Sequence, residues 1–205
     1  MGKRMKKLVF LLICILAGVI IGGRVLAVKE TPPKALPPTQ KTLVKTLQPS
    51  QVQPVTPFQP RTLTIPKLNI TSAVESVGMD KEGRMDVPKD SDNVAWYNLG
   101  FKPGTLGSAV MAGHYDKATG APAVFYNLSS LRVGDSVIVT GADNTKLTFM
   151  VTAKKLYPYN NFPLQTVFNT TDKPRLNLIT CDGVWSSTSK NYSSRLVIFT
   201  ELAPS

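Results

Sequence analysis

The 205 residues include only one histidine and two cysteines, and Asp and Glu are outnumbered by Lys and Arg, 13 against 24. Each shortage excludes something. The cysteines lie far apart, Cys14 inside an apolar run and Cys181 near the other end, so no disulfide framework is expected. An unpaired Cys181 in an exported domain would be a liability unless the thiol has a task. The shortage of acids gives a formal net charge of +11 and a pI near 9.7, values that raise nucleic-acid binding as a question. Position answers it. Residues 1–60 hold nine Lys/Arg and one acid (Glu30), whereas residues 61–205 hold 15 and 12. The basicity belongs to the amino-terminal region, and nothing beyond it gathers Lys and Arg into a stripe that would follow a phosphate backbone. Nucleic acid is not an expected partner. No internal repeat is visible, and there is one long apolar run.

That run is Leu8–Val28, interrupted only by Arg24 and preceded by Lys3, Arg4, Lys6 and Lys7. At a rise of ~1.5 Å per residue it spans about 30 Å, the thickness of a hydrocarbon core. The four basic residues predict a cytoplasmic amino end and an outward-facing remainder. Residues 1–7 are read as a cytoplasmic basic start and 8–28 as a signal-anchor at the cell membrane; the competing reading is a signal peptide cut near Val25-Leu26-Ala27. Cys14 is apolar filler within the run. Residues 29–60 form a stalk: eight of the 16 prolines fall between 31 and 60, among Thr, Gln, Lys and Val with no hydrophobic period. Extended at ~3.1 Å per residue, it reaches on the order of 90 Å. Residues 61–205 are read as one extracellular domain.

Inside that domain the pattern is almost entirely β. Strands are predicted at Thr62–Ile65, Ile70–Val77, Arg84–Val87, Ser108–His114, Ser136–Thr140, Lys146–Leu156, Arg175–Cys181 and Arg195–Leu202, with Leu147, Phe149 and Val151 alternating onto one face. Single helical turns are predicted at Asn93–Leu99 and Pro163–Phe168, and a short helix at Ala123–Leu131. Eight short strands separated by turn signals indicate an all-β barrel or sandwich with short helices.

The chemistry rests on three residues. A Cys with a His is the minimum set for thiol nucleophilic catalysis, the thiolate attacking a carbonyl and the imidazolium protonating the departing amine. Alone, a lone Cys is more often a small hydrophobe and a lone His satisfied structure. Their placement tells against that here: Cys181 closes the apolar strand Leu176–Thr180, His114 closes Ala109–Gly113, and Arg195 opens the last strand, after the polar loop Val184–Ser194. A fixed guanidinium can hold a carbonyl or share an oxyanion's charge. Thr180 offers a hydroxyl or a backbone hydrogen bond near the thiol, and Trp185 and Tyr192 are candidate lining residues of a substrate cleft.

Several of these segments resemble a known family. Leu178-Ile179-Thr180-Cys181 is similar to the Thr-Leu-x-Thr-Cys signature of sortases, with Asn177 where the signature has its first Thr. Arg195-Leu196-Val197-Ile198 resembles the Arg-bearing final strand, and Ala112-Gly113-His114-Tyr115-Asp116 the upstream His segment. Ile65-Pro66, Ile70 and Val94-Ala95-Trp96-Tyr97 extend the likeness over roughly residues 61–202, and the Trp96-Tyr97 and Ala123–Leu131 segments look most like class F, with classes D and E next. The resemblance implies an eight-stranded sortase-type β-barrel and a cysteine transpeptidase. Cys181 would cut a Leu-Pro-x-Thr-Gly-type sorting signal between Thr and Gly through a thioacyl enzyme, His114 would protonate the leaving amine, and Arg195 would position the peptide and stabilise the oxyanion. The partners implied are surface proteins bearing the signal and an amine from a cell-wall precursor or a pilin. No cofactor is implied. Some sortases hold calcium beside the loop between the sixth and seventh strands, but here Tyr157–Pro174 contains only Asp172, and no metal site is expected. Leu36-Pro37-Pro38-Thr39-Gln40 resembles the sorting signal itself, with Gln for Gly, and is read as a product of stalk composition.

Rival readings fit less well. An L,D-transpeptidase keeps His and Cys together in Ser-His-Gly-Cys, whereas His114 and Cys181 are 67 positions apart here, and papain-like proteases place Cys before His. A surface adhesin explains the anchor, stalk and strands, but not the order His, Cys, Arg.

Overall fold

A computed structural model describes residues 57–204. The segments read as a basic start and a membrane anchor, most of the segment read as a stalk, Cys14 and Leu36–Gln40 lie outside the described residues. Among the described residues no helix is long and apolar enough to cross a membrane.

Eight strands close into one barrel: β1 (Pro60–Ile65), β2 (Ile70–Val77), β3 (Val94–Tyr97), β4 (Gly107–Gly113), β5 (Ser136–Gly141), β6 (Lys146–Pro158), β7 (Pro174–Ser186) and β8 (Asn191–Leu202). Around the barrel they run β1-β2-β3-β4-β7-β8-β6-β5, with β5 returning to β1. The pairs β2–β3 and β4–β7 are parallel and the others antiparallel. Alternation fills the interior: Val137 and Val139 from β5, Leu147, Phe149 and Val151 from β6, and Leu176 and Leu178 from β7 join one buried cluster. The β6 register shifts between Val151 and Ala153, and by Tyr157 the odd-numbered side chain packs outside the barrel, on a second apolar cluster.

Four local expectations change. Asn93–Leu99 is not helical: Val94, Ala95 and Trp96 are buried in β3, between β2 and β4. A segment this short carries too little periodicity to separate strand from helix, and partners distant in sequence decide it. Arg84–Val87 forms no strand beyond one bridge, Met79 with Met85, because Asp80 holds the Arg84 backbone (2.9 Å) and guanidinium (2.8 Å) in a local turn and Pro88 lacks an N–H. Ala123–Leu131 is a run of turns ending in a 3-10 turn, Leu128–Ser130, and its buried Phe125, Leu128 and Leu131 recur at the three-residue spacing of that geometry. Finally, the folded unit begins before Arg61, since Pro60 opens β1 and Phe58 packs into the core.

Candidate active site

The site is built on the outer face of three adjacent strands, β4, β7 and β8. On β7, Leu176 and Leu178 point into the core while Ile179 joins the outer cluster with Val110 of β4 and Val197 of β8. Alternation therefore puts Cys181 outside as well. Cys181 and Arg195 are direct Cα partners across β7 and β8, and directly opposed residues share a face. In the parallel pair, Ala112 is level with Ile179 and Thr180 bonds the Gly113 carbonyl; continued by one residue past β4, that register sets His114 beside Cys181. With neighbouring strands about 4.8 Å apart, His114, Cys181 and Arg195 form a row across the barrel wall.

Strand ends do not explain this row. His114 does follow the last residue of β4, but Cys181 and Arg195 lie inside their strands, since β7 continues to Ser186 and β8 begins at Asn191. The segment Val184–Ser194, read as a loop from its polarity, is largely a two-stranded extension with an irregularity between Asp182 and Trp185 and with Trp185 opposite Tyr192. Gly183 there has φ of +89°, and a Cβ on it would lie 2.3 Å from Ser193 Oγ. Polar residues appear because the extension has no buried face to fill.

For Thr180 the expectation changes at the hydroxyl. With Cys181 outward, Thr180 must face inward; it is buried, and its Oγ1 donates to the Gly113 carbonyl at 2.9 Å. Its hydroxyl is committed to joining β7 to β4 beside His114 and is not presented to a substrate. Gly113 leaves room for this junction, since a Cβ there would sit 2.6 Å from the Phe125 ring.

The three outward side chains have distinct settings. Cys181 is a free, half-buried thiol; burial pushes its pKa up, the Arg195 cation opposes that, and Asp116 adds to it. His114 donates from Nε2 to the Pro88 carbonyl (3.1 Å), an atom that can only accept, so Nε2 carries the proton and Nδ1 has no partner among the described residues. Arg195 is held by neutral acceptors: Nη1 donates to the Ser194 carbonyl (2.9 Å) and more distantly to that of Tyr192 (3.3 Å), and Nη2 to Asn191 Oδ1 (2.6 Å). No carboxylate among the described residues neutralises it, and its Nε–H is uncommitted.

On one side of the row lies the outer apolar cluster of Val110, Val167, Ile179 and Val197, covered in part by a short helix, α1 (Leu164–Phe168). Asn177 anchors that helix. Fully buried on β7, it donates from Nδ2 to the Val167 carbonyl (2.6 Å), while its Oδ1 finds no partner among the described residues. Ser108 bonds Thr170, and Arg175 grips Asp172 (2.9 Å from Nη2), whose carboxyl is held down at about 2. Asn177→Ala would strand the Val167 carbonyl and is expected to lower unfolding stability by about 1–3 kcal/mol. Chemical denaturation measures that, and limited proteolysis should show cleavage within residues 159–173 first; unchanged stability with unchanged protection would mean that the anchor does not hold.

On the other side Trp185 and Tyr192 meet, with ring centroids 5.2 Å apart, and Tyr115 packs on Tyr192 at 5.6 Å and on Tyr126 at 4.8 Å. The Tyr192 hydroxyl donates to Asp116 Oδ2, which pushes its pKa up to about 12. Asp116, Lys117, Ala118, Gly120, Trp185 and Tyr192 line an open pocket of about 470 Å³. Trp185 and Tyr192 thus line a cleft. Sequence reading missed Asp116 and Asn177, although both lie in the motif segments around His114 and Cys181. Among the described residues no group of three or more His, Cys, Asp or Glu is placed to hold a metal ion.

Comparison with known proteins agrees with this architecture. The sortase domain family matches residues 63–203. No curated protein sequence matches the chain. Among solved structures, sortase C1 from Streptococcus agalactiae superposes with a TM-score of 0.55 at 19% identity, covering 71% of this chain and 67% of that one. Sortase C-1 from Actinomyces oris gives 0.55 at 20% identity, covering 70% and 71%. A sortase D5 transpeptidase from Clostridium perfringens gives 0.52 at 17%, covering 69% and 77%. Such identities establish a common fold. With C and D sortases at similar scores, the likeness marks the family and not a class within it.

Proposed function

The chain belongs to the sortase family of cysteine transpeptidases, and from that premise we propose that Cys181, His114 and Arg195 carry an acyl transfer that cuts a Leu-Pro-x-Thr-Gly-type signal between Thr and Gly. The observation that supports the assignment is their single row across β4, β7 and β8, on one face.

The Cys181 thiolate attacks the Thr carbonyl carbon. Arg195, charged and without a carboxylate partner among the described residues, faces the oxygen that gains negative charge. His114 gives a proton to the departing Gly nitrogen, the C–N bond breaks, and the acyl group stays on Sγ as a thioester. A second amine then bonds the acyl carbon and gives a proton to His114, the C–S bond breaks, and its electron pair returns to sulfur. The apolar cluster under α1 suits the Leu-Pro portion of the signal, since its exposed edge is aliphatic and aromatic. The acceptor is an amine of a cell-wall precursor or a pilin, and the acyl donors are surface proteins bearing the signal. The apolar run 8–28 behind its basic start supports a single-pass membrane anchor with the catalytic domain outside the cell.

Intact-protein mass spectrometry of the purified chain with a panel of Leu-Pro-x-Thr-Gly-type peptides and a small amine tests the reading. A thioacyl adduct on Cys181 and a new amide are expected. Cleavage with release of free acid but no amide would make the chain a hydrolase. Absence of any adduct, with a Cys181 that resists thiol reagents in the folded protein, would remove the assignment.

A further inference from the structure

We infer that the pocket of Asp116, Trp185 and Tyr192 binds the acyl acceptor, and that it selects an alkylammonium whose apolar stem lies against the rings and whose charged head meets Asp116. The inference rests on the transpeptidase reading and specifies the second substrate's site.

Four observations carry it. First, the pocket lies across the catalytic row from the apolar cluster: it is built from residues that follow His114 on the chain, follow Cys181 on β7 and precede Arg195 on β8, whereas the cluster uses residues on the other side of each. An acyl donor on the apolar side leaves this side open to a second reactant. Second, the Asp116 carboxylate is only half used. Oδ2 accepts the Tyr192 hydroxyl, and Oδ1 has no hydrogen bond among the described residues. Third, the one cation lining the pocket is engaged elsewhere, Lys117 Nζ lying 2.6 Å from Asp92 Oδ2, so it does not neutralise Asp116. Fourth, the walls are aromatic, Trp185 being 52% exposed and edge-on to Tyr192. A carboxylate beside exposed ring faces is the chemistry that holds an ammonium, by charge and by the ring quadrupole, and ring faces also cover a methylene stem. Asp116 is near enough to the thiol to oppose its ionisation. Arg195, Asp182, Tyr115 and Tyr192 are the other charged or titratable groups around that space.

The bound ammonium releases one proton to water, and its nitrogen gives a second to His114, left neutral by the first half-reaction, as it adds to the acyl group. The freed nitrogen bonds the acyl carbon, and the C–S electron pair returns to Cys181.

The test is partition of the thioacyl enzyme between amine and water, measured in one mixture with Nα-acetyl-lysine amide as acceptor. Hydroxylamine, mostly uncharged at pH 7.5 by its chemistry, serves as the neutral comparison. For Trp185→Ala and for Asp116→Asn, which keeps an oxygen for Tyr192, the lysine amide concentration giving equal transfer and hydrolysis is expected to rise at least about tenfold. Partition to hydroxylamine should move less than about threefold. Asp116→Asn should also speed alkylation of Cys181 at neutral pH, as removal of a nearby anion favours the thiolate; a merely structural loss would not. Unchanged lysine amide partition in both variants, or equal losses with hydroxylamine, would overturn the assignment. If the unmodified protein forms no thioacyl adduct, it is the transpeptidase reading that fails.

Discussion

Cys181→Ala is expected to abolish both the thioacyl adduct and the amide product, with a fall in signal cleavage of at least about 10⁴-fold. The size follows from what the sulfur does. No second thiol occurs among the described residues, and the row offers no other nucleophile. Arg195 and His114 would still bind and polarise the peptide, but water would have to attack without a covalent intermediate. Cys181 is half-buried on the outer face and donates no hydrogen bond that holds the barrel, so the variant should melt close to the parent temperature. Mass spectrometry and thermal unfolding of the same sample check both halves. Adduct formation by the alanine variant would move the nucleophile elsewhere. A variant that lost its cooperative melt would call for Cys181→Ser, which keeps size and polarity but not a readily ionised group.

Arg195→Ala is expected to lower kcat/KM for the signal peptide by about 10²–10³-fold, the usual effect of losing one oxyanion donor. Arg195→Lys should recover little of it, because a single ammonium cannot both keep the bonds to Ser194 and Asn191 and reach a substrate oxygen. A separate signature comes from the thiol. The Arg195 cation counteracts burial at Cys181, so its removal moves thiolate formation to higher pH. The rate of alkylation of Cys181, followed against pH, should therefore shift upward in Arg195→Ala and downward in Asp116→Asn. Full activity in Arg195→Ala, or an alkylation profile that does not move, would leave this guanidinium as a structural anchor of the β7–β8 extension.

Much of the fold was legible because barrel strands half-buried on one side advertise their period: Leu147, Phe149 and Val151, or Val137 and Val139, alternate without exception. The row of His114, Cys181 and Arg195 was legible as motif segments but for an incomplete reason. Apolar runs do stop at Thr180 and begin at Leu196, yet the strands do not stop there; only their covered faces do. For the same reason Thr180 read as a site residue when it is an interior one. Asn93–Leu99 reads as helical because the strand inside it, Val94–Tyr97, is four residues with no usable period, and its strand partners lie about 20 residues away on either side. Asp116 could not be recognised from charge alone. What gives it a role is the hydroxyl of Tyr192, 76 residues on. Asn177 read only as a departure from a signature, because the carbonyl it holds is presented by α1, itself a single turn.

The strand order has a temporal consequence. β8, last in the chain, is inserted between β7 and β6, so until residues 191–202 are present both neighbours keep an unpaired edge and the barrel stays open. A ribosome delivering the chain amino end first releases the Cys181 thiol before Arg195. Cys181 thus emerges before the cation that, in the closed barrel, offsets part of the effect of its burial. Ring closure by the final strand and the pairing of Cys181 with Arg195 are one event, and a nascent chain cut short before β8 carries the thiol without its cross-strand partner.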